Sequence, residues 1–233
     1  MAVASTATFN LDLNELTQEA FERAGLDLRT GYDLKTAKRS LNILALEWQN
    51  RGLNLWTIEE QFVAFVEGTD SYTLDADTID IIDAVIRTDP GNTSKQIDAS
   101  MSRISPVTYA TIPNKLTKGR PNQYWVDRQR DAPVVYVYPT ASSTYSTARF
   151  VFWRERRILD TGDKGSNDFD VPARFIPALV AGLAYNIALK KPEAAGRIGG
   201  LKQDYEEQYN IAAGEDRVKA PLRMVPFTEY YGR

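Results

Sequence analysis

The hydrophobic pattern changes period twice along this chain. Over residues 12–24, Leu13, Leu16, Ala20, Phe21 and Ala24 recur at the three- and four-residue spacing of one helix face. Asp12 stands where a side chain can accept from the first free N–H groups, and Gly25 where a helix ends in left-handed backbone. Over 33–52, Leu34, Ala37, Leu41, Leu44, Ala45 and Trp48 repeat the spacing. The two segments predict an αα-hairpin.

From 53 to 170 the texture becomes that of strands. Short β-rich runs at 62–66, 81–87, 123–126, 134–138 and 148–153 alternate with Gly, Pro, Asn and Ser. They predict an inserted all-β domain. Within it, Pro133 and Pro139 bracket one run and 127–131 supplies a polar connection, the pattern of a hairpin with a longer loop.

Helical spacing returns after Asp170. Pro172 suits a first helical position, and Phe175, Ile176, Leu179, Val180, Leu183, Ala184 and Ile187 form a wide apolar stripe that Pro192 ends. A fourth helix is expected over 193–213, carrying Ile198, Leu201, Tyr205, Tyr209 and Ala212, with Gly214 as its stop. Glycines at 196, 199 and 200 weaken its start. Residues 218–233 show neither period and predict an extended arm.

The fold class expected is α+β. A four-helix platform is built from both chain ends (10–52 and 171–214), with an antiparallel β-sandwich or barrel-like domain between (53–170) and an extended C-terminal arm (215–233). Leu41, Leu44, Trp48, Leu179, Leu183 and Ile187 are expected to share one core.

Composition then narrows the chemistry. The 233 residues contain neither Cys nor His, which removes thiolate nucleophiles, imidazole bases, disulfides and most zinc sites together. With 28 Lys and Arg against 31 Asp and Glu, the net charge of −3 offers no global attraction to a phosphate backbone. No apolar run approaches the roughly 20 residues of a membrane helix, and the N-terminal stretch lacks the layout of a signal peptide. The expectation is a protein with no membrane association and no cofactor.

Candidate chemistry is sparse. Asp75, Asp77, Asp80 and Asp83, and Asp160, Asp163, Asp168 and Asp170, form acidic clusters without calcium-loop spacing, and read as polar turns and helix caps. Lys115, Lys118, Arg120, Tyr124, Trp125, Arg128 and Arg130 interleave bases with aromatics, as a nucleic-acid surface would, yet Gly119 and Pro121 mark a turn and Asp127 and Asp131 dilute the charge. Arg149, Arg154, Arg156 and Arg157 read as a solvated strand end or as intersubunit ion pairs. Lys118, Arg120, Arg128, Arg130, Arg154, Arg156 and Arg157 are therefore candidate intersubunit contacts. In the arm, Pro221 and Pro226 punctuate Phe227, Tyr230 and Tyr231, rings that such a segment cannot bury by itself, while Arg217, Lys219, Arg223 and Arg233 add positive charge.

Three segments together carry a resemblance: LNILALEWQNRGLNLW, IPNKLTKGRPNQYWVDRQRDAPVVYVYP and VPARFIPALVAGLAYNIALKKPEAAGRIGGLKQDYEEQY. In order and texture the chain resembles the head-to-tail adaptors of short-tailed bacteriophages, such as tail tubular protein A and the packaged-DNA stabilisation adaptors, over roughly 10–213. The resemblance implies a structural protein of the virion, placed at the head–tail junction and assembled in the host bacterial cytoplasm. It implies a dodecameric ring bound to a portal protein on its helical side and to tail nozzle and fibre proteins on its β side. Double-stranded DNA would pass through the central channel without sequence recognition. No catalytic motif comes with it, and it makes Lys118, Arg120, Arg128, Arg130, Arg154, Arg156 and Arg157 possible tail contacts as well as intersubunit ones. The arm residues Arg217, Lys219, Pro221, Arg223, Pro226, Phe227, Tyr230, Tyr231 and Arg233 are expected to dock on the portal. Two other readings compete: a tail-associated, carboxylate-dependent hydrolase and a DNA-binding module.

Overall fold

The computed structural model describes residues 12–29, 31–52, 55–160 and 169–217. The chain opens with α1 (Leu13–Ala24) and α2 (Gly31–Arg51), then runs through β1 (Ile58–Ala64), β2 (Ser71–Thr73), β3 (Thr78–Thr88), β4 (Ile97–Ser100), β5 (Ser102–Arg103), the short helix α3 (Pro106–Ala110), β6 (Lys118–Gly119), β7 (Gln123–Asp127), β8 (Val134–Tyr138), β9 (Thr140–Ala141) and β10 (Arg149–Arg156). It closes with α4 (Ile176–Ala188) and α5 (Ile198–Glu215). This is an α+β fold.

α1 forms where its apolar spacing and caps agree. The Asp12 carboxylate accepts from the Glu15 N–H at 2.7 Å, Glu15 reaches back to the Asp12 N–H, and Gly25 closes the helix at φ 74°. Leu13, Leu16, Ala20, Phe21 and Ala24 are buried against the other helices. α4 is apolar nearly all round and occupies the middle of the layer, packed against α1, α2 and α5. Gly182 allows that approach, because a Cβ there would lie 2.9 Å from both the Leu44 side chain and the Tyr205 ring. The expected shared core of Leu41, Leu44, Trp48, Leu179, Leu183 and Ile187 is present.

The β segment folds into two four-stranded sheets, ordered β1-β10-β3-β4 and β2-β8-β7-β5, plus the small pair β6-β9. Period-two alternation drives the packing: Tyr124 and Val126 of β7 and Val135 and Val137 of β8 point inward to meet Ile81, Ile86, Phe150 and Phe152 of the other sheet in one core. β7 pairs antiparallel with β8 across the loop at 128–133, as the sequence predicts. Neither sheet closes, so the architecture is a sandwich and not a barrel.

Several local expectations are corrected. The insertion is not purely β, since Pro106 and the Ser105 cap start α3, and the pairs β5–β7 and β6–β9 are parallel. Pro172 caps a 3-10 turn (Ala173–Phe175), leaving Pro177 to take the first turn of α4. Pro192–Arg197 is also 3-10, so α5 starts only at Ile198, and it continues through Gly214 to Glu215. The arm at 218–233 lies outside the described residues. Among those described, no helix is long and apolar enough to cross a membrane.

Sandwich and helices meet at a small aromatic and polar joint. Trp56 sits 4.6 Å from Phe175 centroid to centroid and donates to the Asp170 carbonyl at 3.1 Å, while Ile158 joins the helical core.

Candidate functional site

Most of the arginines singled out by sequence are committed within the protomer. Arg154 is only 4% exposed, because β10 lies between β1 and β3 and aims it at their acids. It donates to the Asp77 carboxylate, to Thr78 Oγ1 at 2.7 Å and to Glu59 at 3.1 Å. Burial opposes its charge, but the hydrogen-bonded Asp77 and Glu59 carboxylates outweigh it and raise its pKa above the ordinary arginine value. Arg156 donates to Glu59 at 2.6 Å and to Asp170, whose other contacts include the Leu159 N–H at 3.0 Å. These pairs tie β1, β10 and the entry to the helices together. Within one protomer they already occupy both guanidinium groups that the sequence offered as tail or intersubunit contacts.

The remaining bases are scattered. Asp80 receives both Arg103, at 2.8 Å, and Arg128. Lys118 pairs with Glu67 at 2.8 Å, and Arg130 stands almost fully exposed beside Asp131 at 3.8 Å. Arg120 and Arg157 are exposed. The interleaved aromatics do not form a stacking platform with them. Tyr124 points into the sandwich core, and Trp125 stacks on Tyr136 at 4.9 Å under Tyr109 of α3. α3 thus covers the face that the bases would have shared.

The acidic clusters serve as ion-pair partners and turn acceptors. Asp77, Asp80 and Asp170 hold arginines, and Asp83 accepts from the Ala84 N–H at 2.8 Å. Among the described residues, no three acids gather as metal ligands. Asp163 and Asp168 lie outside them.

Of the arm residues, Arg217 is described and exposed, while Lys219, Pro221, Arg223, Pro226, Phe227, Tyr230, Tyr231 and Arg233 lie outside the described residues. The last anchored position before them is Asp216, which accepts from the Leu55 N–H at 2.9 Å and pairs with Arg174. α5 therefore ends on the side of the helical layer that faces the sandwich.

Two concave surfaces stand out on the helical layer. A groove of about 600 Å³ runs between α2 and the end of β10, with Ala45, Leu46, Ile158 and Leu159 in its walls. A second, of about 530 Å³, lies between α1 and α4, with Glu15, Glu19 and Glu22 above Ile176, Pro177 and Val180.

A model of the SU10 adaptor protein family matches residues 11–225, nearly the whole chain. The chain belongs to the SU10 adaptor family. Among solved structures, the neck of an empty GTA particle computed with C6 symmetry aligns with 89% of this chain and 93% of that one at 12% identity. Its TM-score is 0.28. No curated protein matches.

In this SU10-family adaptor, the surface features that sequence reading passed over are exposed apolar side chains. Tyr32, Ile43 and Leu46 on α2 and Leu159 after β10 are 72%, 55%, 56% and 52% exposed. The signal was present: Ile43 and Leu46 fall off the helix face defined by Leu41, Leu44 and Trp48.

Proposed function

We propose that this chain is a structural head-to-tail adaptor of a phage virion, not an enzyme: it forms a ring beneath the portal, joins portal to tail and leaves a central channel for DNA. The observation that carries the reading is the match to the adaptor family over 11–225. The resemblance to short-tailed phage adaptors, tail tubular protein A among them, adds the finer terms: a dodecamer, the portal on the helical side, and the tail nozzle and fibres on the β side. The virion's head–tail junction is its location, and the host cytoplasm its place of assembly.

The chemistry is compatible with a channel. An acidic chain whose arginines are mostly paired internally makes few phosphate contacts, so DNA slides and is not gripped. The arm, from Arg217 onward, is the portal-docking element in this proposal. Its two prolines limit the entropy lost on ordering, and its three aromatic rings provide anchors.

The test is mass measurement and negative-stain imaging of the full chain alone and mixed with its portal. A ring, or a stoichiometric layer on the portal, is the expected result. A chain that binds no portal and degrades cell wall at clean turnover would instead be the hydrolase.

A further inference from the structure

We infer that the exposed face of α2 in one copy seats in the α1/α4 groove of the next, and that this head-to-tail contact joins the helical layers of neighbouring protomers. The inference rests on the ring reading above and adds to it a surface and a direction.

The α2 face is organised. Tyr32, Lys35, Arg39, Ile43 and Leu46 follow one another at three- or four-residue steps and so line a single stripe of the helix. All five are exposed, and among the described residues neither Lys35 nor Arg39 has an ion-pair partner. Past Leu46 the stripe continues into Leu159, so the apolar part is contiguous and not a set of isolated surface residues.

The α1/α4 groove is its complement. The floor is apolar (Ile176, Pro177, Val180) and the wall is acidic (Glu15, Glu19, Glu22), with Arg23 as the one base among its lining residues. Arg23 is already paired with Glu19 at 2.9 Å.

A second copy is the occupant because one chain carries both halves and cannot join them itself. α4 lies between α1 and α2, which meet little beyond their connection, so the two surfaces lie on different sides of the layer. A contact between unlike patches of identical chains is heterologous, and it closes into a ring when the rotation per step permits. Opposite charge favours the pairing: Lys35 and Arg39 go to the acidic wall, Ile43 and Leu46 to the apolar floor.

The absence of cysteine makes the contact testable by cross-linking. The full chain carrying Gln18→Cys and Ile43→Cys, treated with a short bis-maleimide under assembly conditions, should give a ladder of covalent oligomers ending in a closed species. Either single variant should give none. Separately, Lys35→Glu with Arg39→Glu should weaken association at least tenfold, Glu19→Lys with Glu22→Lys should do the same, and mixing the two variant chains should restore it. Circular dichroism checks that each variant is folded. Rings that form without any ladder overturn this contact and leave the ring reading standing. Cross-linking of the Ile43→Cys chain to the portal in place of a second copy also overturns it, because the α2 face then belongs to the portal. No rings and no ladder, alone or on the portal, remove both the contact and the ring reading.

Discussion

The Trp48 indole N–H donates to the Tyr205 hydroxyl at 2.9 Å across 157 positions of sequence. The same hydroxyl donates to Glu47 at 3.1 Å, so α2 and α5 are tied by a polar chain that runs from the buried indole out to the partly exposed Glu47. Trp48 is fully buried, with Phe175 and Tyr209 each 5.5 Å from its ring. Burial pushes the Tyr205 phenol above its usual pKa, keeping it a neutral donor throughout the range in which the protein is handled.

Trp48→Ala should therefore destabilise the fold by about 3–5 kcal/mol. Urea denaturation followed by circular dichroism measures it. Trp48→Phe keeps most of the volume and should cost less. An unchanged midpoint in the alanine variant would take Trp48 out of the core.

Gly182→Ala should also destabilise, although alanine is the better helix former by about 1 kcal/mol. The added methyl meets Leu44 and Tyr205 at 2.9 Å, and overpacking of this kind costs about 1–3 kcal/mol. A lowered melting temperature is expected; a raised one would mean that α2 and α5 give way without strain.

Around Arg154 the two sides of the ion pair should respond unequally. Asp77→Ala leaves a buried guanidinium short of an acceptor and should cost about 1.5–3 kcal/mol. Arg154→Met removes the buried charge itself, while Glu59 and Asp77 are exposed enough to recover water. It should be the milder change, a comparison that paired urea curves decide.

Acid sensitivity should come in part from Glu206. Its hydrogen bonds to Arg51 hold its pKa below the ordinary value of 4.5, so its contribution is present above that value and is lost as pH falls through the depressed one. The pair is substantially exposed, so Glu206→Gln should cost no more than about 1 kcal/mol at pH 7, and less at high salt. The gap between variant and parent should vanish in strong acid.

For the arm, a chain ending at Ala220 should keep its melting transition, because the described core ends before it, with Asp216 and Arg217 retained. Portal binding should fall by orders of magnitude if the aromatic anchors carry docking. Equal affinity in the shortened chain would assign docking to the helical layer.

What the sequence determined by itself is what depends on near neighbours along the chain. The Asp12 cap, the Gly25 stop, the 3.6-residue stripes of α1, α2 and α4, and the alternation of β7 and β8 are local, so a reader of residues finds them. The same locality explains the misplacements. Pro172 and Pro177 suit a first helical turn equally well, and only the docking of Phe175 between Trp48 and Trp56 decides that the earlier proline caps a separate turn.

Charge was the part that only tertiary structure could decide. The arginines of β10 look like a solvated run in sequence, yet the order β1-β10-β3 brings Glu59 and Asp77, 95 and 77 positions away, against Arg154. Electrostatic partners are set by which strands become neighbours, and no period encodes that. The exposure of Ile43 and Leu46 is decided in the same way, by α4 and α5 covering the other side of α2 and leaving this one open.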